Sequence, residues 1–157
     1  MKRFLSVLLM LAIGMSILAG CSSGDETSGD LSAVEVGEKI QQTVSFQNMK
    51  QGDLEKLQKL YQIEAGKVED FILYTASSNV KADELAVIKV KDASDTENIK
   101  EKFQQRIEAQ TIKLKDYRPE EYFLIEKHVL KTKGQFVLFA VSKEVDQIET
   151  VFDEALK

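Results

Sequence analysis

Apolar and polar positions along this chain follow two periods, and each period predicts a different kind of element. From Leu31 to Ser45, apolar side chains recur every four residues, for example at Val36 and Ile40. This spacing is typical of one face of an amphipathic helix. Ser32 and Glu35 have the separation of a capping box, so the helix is expected to begin there.

Four short runs rich in branched and aromatic residues predict strands. They are Asp70–Ala76, Leu85–Val90, Val129–Thr132 and Phe136–Val141. Gly134 lies between the last two runs, where it can take the positive φ that a tight turn requires.

Helices are predicted between and after these strands. Asp53 can cap a short helix, and the capping box Ser94–Glu97 opens a long one. Pro119 is placed to begin a further helical turn, because proline is tolerated in the first turn of a helix. Ser142 can cap a last helix, with Val145 on its core face.

Strand–strand–helix therefore occurs twice, which predicts an α+β fold: a four-stranded antiparallel sheet packed with helices and the additional N-terminal helix. Two strands carry lysines, a common device at exposed sheet edges, and are expected at the edges. These lysines are Lys89, Lys91, Lys131 and Lys133. The central strands Asp70–Ala76 and Phe136–Val141 are apolar on both faces. Either helices cover both faces, with the N-terminal helix in the second layer, or one face is an open contact surface; the covered arrangement is favoured.

The first residues predict export. Lys2 and Arg3 precede the apolar run Phe4–Leu18, as in a secretory signal peptide, and this run is shorter than the ~20 residues of a membrane-spanning helix. The following Leu18-Ala19-Gly20-Cys21 resembles the bacterial lipobox. The resemblance implies cleavage between Gly20 and Cys21 and a covalent diacylglyceryl group on the Cys21 sulfur.

The chain is accordingly divided into a signal peptide at residues 1–20, a lipidated cysteine with a disordered tether at 21–30, and one α+β domain at 31–157. Ser22–Asp30 contains no apolar side chain, so it cannot bury enough surface to offset its ordering entropy. We expect a lipid-anchored protein at the extracytoplasmic face of the cell membrane, with the membrane as one partner.

Charge and composition exclude several functions. The chain has 21 basic and 26 acidic side chains for a net charge of −5, and loss of Lys2 and Arg3 makes it −7. Nucleic-acid binding is therefore not expected. Cations or basic partners remain possible, although solubility alone explains the charge. His128 is the single histidine and Cys21 the single cysteine, so no nucleophilic site, transition-metal site or cofactor other than the lipid is expected.

The segment Asp116–Glu126, "DYRPEEYFLIE", stands out as a corner between two helices. Its candidate residues are Asp116, Tyr117, Arg118, Pro119, Glu120, Glu121 and Tyr122. A structural role, in which Pro119 sets the turn, both tyrosines pack and Arg118 pairs with a carboxylate, is favoured over a binding surface. With "LYQIEAGKVEDFILYTA" and "ELAVIKVKD", this block resembles the bacterial lipoprotein family called domain of unknown function 4358 (DUF4358), from about Leu31 to Leu156. That family implies a lipobox and one small domain, with no established activity.

The sequence thus favours a non-enzymatic protein that binds an unidentified protein or small molecule. Two alternatives remain open. One is an accessory or stabilising subunit of a membrane assembly. The other, less favoured, is a hydrolase that uses carboxylates alone, which requires two of them roughly 5–10 Å apart.

Overall fold

A computed structural model describes residues 31–157. The predicted signal peptide, the lipidation position Cys21 with its cleavage site, and the tether lie outside the described residues.

Five α-helices lie in the described part of the chain. They are α1 (Ala33–Thr43), α2 (Leu54–Tyr61), α3 (Thr96–Leu114), α4 (Pro119–Glu126) and α5 (Val145–Ala155). None of them is long and apolar enough to cross a membrane.

One antiparallel sheet joins all the strands of residues 31–157. These are β1 (Met49–Gln51), β2 (Val68–Ala76), β3 (Glu84–Val90), β4 (Val129–Lys133) and β5 (Phe136–Val141). Their order across the sheet is β1-β2-β3-β5-β4. The α+β class is confirmed, but the sheet has five strands, not four. β1 escaped prediction because its three residues, "MKQ", are too few to show an alternating pattern.

Placing both lysine-bearing strands at the edges was half wrong. β4, with Lys131 and Lys133, is an edge strand, whereas β3 lies at the centre between β2 and β5. Lys89 of β3 is only 5% exposed. Its ammonium reaches Glu69 on the neighbouring strand at 3.0 Å, since a lysine can bury its stem and carry the charge to an ion-pair partner.

Helices cover both faces of the sheet, as the favoured alternative predicts. On one face Leu73, Ala86 and Phe139 pack with residues of α2, α3 and α4. On the other face Val87 and Leu138 pack with residues of α1 and α5. The result is three layers with a separate apolar core on each side of the sheet.

Two of the predicted helix caps form, and two do not. Ser32 and Glu35 form the predicted capping box, and the Asp53 carboxylate accepts a hydrogen bond from the Lys56 amide.

The box predicted at Ser94–Glu97 does not form: a 3₁₀ turn, Ala93–Asp95, comes first, and the Asp92 carboxylate caps that turn instead. Ser142 does not cap α5, because the helix begins later, after Glu144, and the Ser142 hydroxyl instead accepts a hydrogen bond of 3.1 Å from the Glu144 amide. Gly134 takes the expected positive φ of 57°.

Candidate functional site

An open cavity of about 560 Å³ lies at one end of the sheet. Here β2 ends, β3 begins and β5 ends, because Glu84 pairs with Thr75 on one side and Val141 on the other. We call it the sheet-end cavity. Its polar lining comprises Ser45, Gln47, Asn48, Ser77, Ser78, Lys81, Asp83, Glu84, Glu121, Ser142, Lys143 and Glu144. Its apolar lining comprises Phe46, Met49, Leu124, Val141 and Ile148.

Three loops build the rim of the sheet-end cavity, and one of them is residues 142–144 between β5 and α5. Of the other two, one joins α1 to β1 and the second, residues 77–83, joins β2 to β3. The Ser77 amide donates to the Asn48 carbonyl at 2.9 Å, which ties the two loops together. The Lys113 ammonium of α3 donates to the Asn79 carbonyl at 2.6 Å, so the second loop is also held against the helical layer.

Glu121 of α4 holds the β2–β3 loop in place. Its side chain is 3% exposed and forms an ion pair of 2.6 Å with Lys81. Its second carboxylate oxygen accepts a hydrogen bond of 2.9 Å from the Ala82 amide. A carboxylate in the first turn of a helix also lies in the positive field of the helix end. Glu121 therefore fixes the wall of the cavity on which Lys81 and Asp83 lie.

The second buried carboxylate of the lining belongs to Glu84, the first residue of β3. Glu84 is 3% exposed. The Arg106 guanidinium of α3 contacts both of its oxygens, with the closest approach at 2.8 Å. The Tyr61 hydroxyl of α2 donates to it as well. Burial, followed by the charge of Glu84, raises the pKa of Tyr61 well above its ordinary value. The phenol therefore stays protonated and keeps donating to Glu84.

Asp83 differs from these two carboxylates. It is half-buried in the cavity lining, and among residues 31–157 no basic side chain lies within 4.0 Å of its carboxylate. Burial first and then the negative charge of Glu121 raise the pKa of the Asp83 carboxyl. A hydrogen bond from the backbone of Asp83 itself, and then the charges of Lys81 and Lys143, lower this pKa, but more weakly.

The predicted corner residues do not converge on one site. Pro119 begins α4, and Arg118 pairs with Glu120 at 2.8 Å, both as predicted. Tyr117 is 70% exposed, so the prediction that it packs is wrong. It follows the end of α3, where neither core faces it.

The remaining corner residues divide between surface and interior. Tyr122 is half-buried, and its hydroxyl donates to Glu126 at 2.8 Å. Asp116 and Glu120 are exposed, whereas Glu121 alone lines the sheet-end cavity. Of the seven candidates, only Glu121 therefore belongs to a candidate site.

A shallower depression of about 420 Å³ continues from the sheet-end cavity. It shares Leu124, Ser142 and Lys143 with the cavity and extends over Phe123, which is 52% exposed. The Lys127 ammonium lies 4.4 Å from the centre of the Phe123 ring. This depression joins the cavity to the surface of α4.

Sequence reasoning missed Asp83, Glu84 and Arg106. Acidic residues just before a strand are typical of an exposed strand end, so nothing marked Glu84 as buried. One signal was available for Arg106, because it follows Phe103 by three residues and therefore lies on the same side of α3. Arg106 contacts Glu84, which also accepts a hydrogen bond from Tyr61, and both partners are at least 22 residues away from Arg106 in the sequence.

The described chain begins at the opposite end of the sheet from the cavity. The Asp70 carboxylate, near the start of β2, accepts hydrogen bonds of 2.9 and 3.1 Å from the Ala33 amide. Leu31 is buried beside it in the second core. The distance along β2 from Asp70 to Ser77 is about 23 Å, at ~3.3 Å per residue.

Within residues 31–157, no group of three or more histidine, cysteine or acidic side chains could hold a metal ion. His128 is half-buried, and its Nδ1 lies 2.7 Å from the Ile125 carbonyl. The imidazole is thus engaged with a carbonyl in the last turn of α4. His128 does not line the sheet-end cavity.

These features define a class: a small three-layer domain with a central antiparallel sheet and a cavity at one sheet end. A family model described as Domain of unknown function (DUF4358) matches residues 42–142, more than half of the chain. The chain belongs to this family. No curated protein matches the chain. No solved structure matches it either.

Proposed function

We propose that this protein is a non-enzymatic binding protein, anchored by lipid on Cys21 at the extracytoplasmic face of the membrane, that takes its ligand in the sheet-end cavity. The observation that carries the proposal is the position of this cavity. It lies at the far end of the sheet from Leu31 and Asp70, where the preceding segment joins the domain. With Ser22–Asp30 as a tether, the cavity would face away from the lipid surface.

The size and lining of the cavity support binding of a small ligand. Its volume of about 560 Å³ lies within the roughly 300–1,000 Å³ typical of small-molecule sites. Apolar side chains offer contact area, while serine hydroxyls and the Asn48 amide offer hydrogen bonds. Such a mixture can select both the shape and the polar groups of a ligand.

A second candidate function is that of an accessory subunit in a membrane assembly. It draws support from the exposed aromatic residues of the α3–α4 corner, Tyr117 and Phe123. Aromatic side chains are enriched in protein interfaces. Loss of a specific co-purifying subunit in a Phe123→Ser variant, with ligand binding by the cavity intact, would favour this function.

Carboxylate-only hydrolysis is the weaker alternative. Glu84 is held by Arg106 and Tyr61, and Glu121 by Lys81, so both buried carboxylates of the cavity are already engaged by groups of the protein itself. Absence of hydrolysis of cell-wall glycans by the purified chain is the expected result.

Membrane anchoring is tested with Cys21→Ser, and with Ser22→Ala as the matched control. We expect Cys21→Ser to leave the membrane fraction or to accumulate uncleaved, and Ser22→Ala to behave as the unaltered chain. Cell fractionation and intact-mass spectrometry measure both. Unchanged membrane retention of Cys21→Ser, together with an unmodified chain starting at Met1, would refute the anchor.

A further inference from the structure

The charged groups of the sheet-end cavity are unequally satisfied. Glu84 has Arg106 and Tyr61 as partners, and Glu121 has Lys81 and the Ala82 amide. Both are more than nine-tenths buried and fixed in position. Asp83 and Glu144 are left without an ion-pair partner among the described residues. Of these two carboxylates in the lining, Asp83 lies directly before the buried Glu84 and is the one whose ionised form is disfavoured by burial and by the charge of Glu121.

The charged groups of the cavity sum to a small negative charge. Asp83, Glu84, Glu121 and Glu144 contribute four carboxylates, against the ammonium groups of Lys81 and Lys143 in the lining and the Arg106 guanidinium that pairs with Glu84. Lys81 is already committed to Glu121. A ligand that brings a positive charge would therefore meet a favourable field, and an anionic ligand would not.

The apolar lining limits what carries that charge. Phe46, Met49, Leu124 and Ile148 offer apolar surface in the same cavity. A bare metal ion would leave this surface unused. An ammonium group on a chain of methylenes would cover it while its charge reaches a carboxylate, as lysine side chains do on protein surfaces.

We propose that the sheet-end cavity binds a small ligand that carries a primary ammonium group on an apolar stem, with the ammonium group at Asp83. This inference rests on the proposed binding function and adds the chemical class of the ligand to it. The serine and amide groups of the rim then contact the polar remainder of the ligand.

The electrostatics of Asp83 support the same ligand. In the free protein, burial and the charge of Glu121 disfavour the ionised carboxylate. A bound ammonium group would reverse this effect, since an opposite charge within ~4–6 Å favours the charged form. A bound cation would therefore stabilise the ionised Asp83 carboxylate, which the ligand-free protein disfavours.

The test uses the full chain in detergent micelles and two matched probes, Nα-acetyl-lysine amide and the same compound acetylated on its ε-amine. The first has the ammonium group and the second lacks only that charge. Pentylamine, an ammonium on a stem without peptide groups, distinguishes a free amine from a lysine-containing peptide as the source. Calorimetry measures affinity, and NMR shifts of cavity amides such as Ser77 and Ser142 report the location.

We expect the charged lysine probe to shift the cavity amides, and Asp83→Asn to weaken its binding about ten- to hundredfold, as for a charge-assisted hydrogen bond. Asp116→Asn, which removes the same charge at an exposed position outside the cavity, should leave the affinity unchanged. Circular dichroism checks that both variants fold.

Equal binding of the two lysine probes, or equal affinity of Asp83→Asn and the unaltered chain, would overturn the ammonium assignment. So would shifts confined to amides outside the cavity. A neutral fragment library separates this failure from that of the proposed function. If neutral fragments move cavity amides while the ammonium probes do not, the cavity binds ligands of another class; if nothing moves them, both proposals fail.

Discussion

Glu120 and Glu121 are chemically identical neighbours at the start of α4, yet their surroundings are opposite. The Glu120 side chain is 60% exposed, whereas that of Glu121 is 3% exposed. Successive helical positions point about 100° apart, so one faces solvent and the other faces the β2–β3 loop. At this scale the direction of a side chain decides its role more than its chemical type does.

Glu121→Ala should lower the free energy of unfolding by about 1–3 kcal/mol, because it leaves the buried Ala82 amide without an acceptor. Glu120→Ala is the matched control and should change it by less than about 0.5 kcal/mol, as at other exposed positions. Urea unfolding measures both. Equal losses in the two variants would contradict the role of Glu121 in holding the loop.

Asp83 gives a prediction about pH. Its pKa is raised in the folded state, so the folded protein binds the proton more tightly than the unfolded chain does. Stability therefore falls as pH rises through the interval between the unfolded and folded pKa values. Above this interval, Asp83→Asn should stabilise the ligand-free protein, by less than about 1 kcal/mol because the group is half exposed to solvent.

The measurement is thermal unfolding of the unaltered chain and Asp83→Asn across the acidic to neutral range. The two stability curves should converge at pH values below the ordinary pKa of an aspartate and separate above it. A variant that is less stable than the unaltered chain at neutral pH would show that Asp83 has a stabilising partner.

At the scale of elements, the Tyr61–Glu84–Arg106 group ties α2 and α3 to the central strand β3. A buried ion pair is costly to break, because the remaining charge has no water to solvate it. The same face also carries the aromatic cluster in which the Tyr61 and Phe103 ring centres lie 4.8 Å apart. The polar group thus specifies how these helices dock on an otherwise apolar surface.

Arg106→Met should destabilise the protein by about 3–5 kcal/mol, because it leaves Glu84 buried and unpaired. Adding Glu84→Gln in the same chain should recover part of that loss. The exposed pair Lys100–Glu97 is the control, and Lys100→Met should cost less than about 1 kcal/mol. Chemical denaturation of Arg106→Met, of Glu84→Gln and of the double variant gives the coupling free energy between Arg106 and Glu84. Additive losses in the double variant would contradict the pairing.

At the scale of the whole molecule, two strand–strand–helix units form a three-layer domain without being equivalent. Their strands β3 and β5 pair at the centre of the sheet. Their helices pack on opposite faces, with α3 in one core and α5 in the other. The second layer is completed by α1, whose Gly37 lies directly against Ile72 of β2.

Gly37→Ala tests this close packing. A Cβ at position 37 would lie 2.9 Å from Cγ1 of Ile72 and nearer still to its Cδ1, so the sheet and helix must separate or Ile72 must shift. We expect a loss of about 1–3 kcal/mol, as for other overpacked cores, despite the better helix propensity of alanine. Gly66→Ala, where a Cβ would meet nothing within 4 Å, is the control and should be neutral in thermal unfolding.

The sequence alone determined most of the local structure. The capping box of Ser32, the cap at Asp53, the helix start at Pro119 and the turn at Gly134 all form as predicted. These features depend on backbone preferences and on hydrogen bonds between residues a few positions apart. The α+β class was predictable because the hydrophobic period changes between helices and strands along the chain. The covered sheet was favoured for another reason, since strands that are apolar on both faces need a packed layer on each side.

Only the tertiary structure decided the strand order, the burial of Lys89 and the composition of the sheet-end cavity. The cavity brings Asp83 of the β2–β3 loop, Glu121 of α4 and Ser142 after β5 to one end of the sheet. Their proximity follows from which strands pair and which helix covers which face. Strand pairing and helix placement depend on the apolar surface buried in both cores together. No short stretch of sequence contains that information.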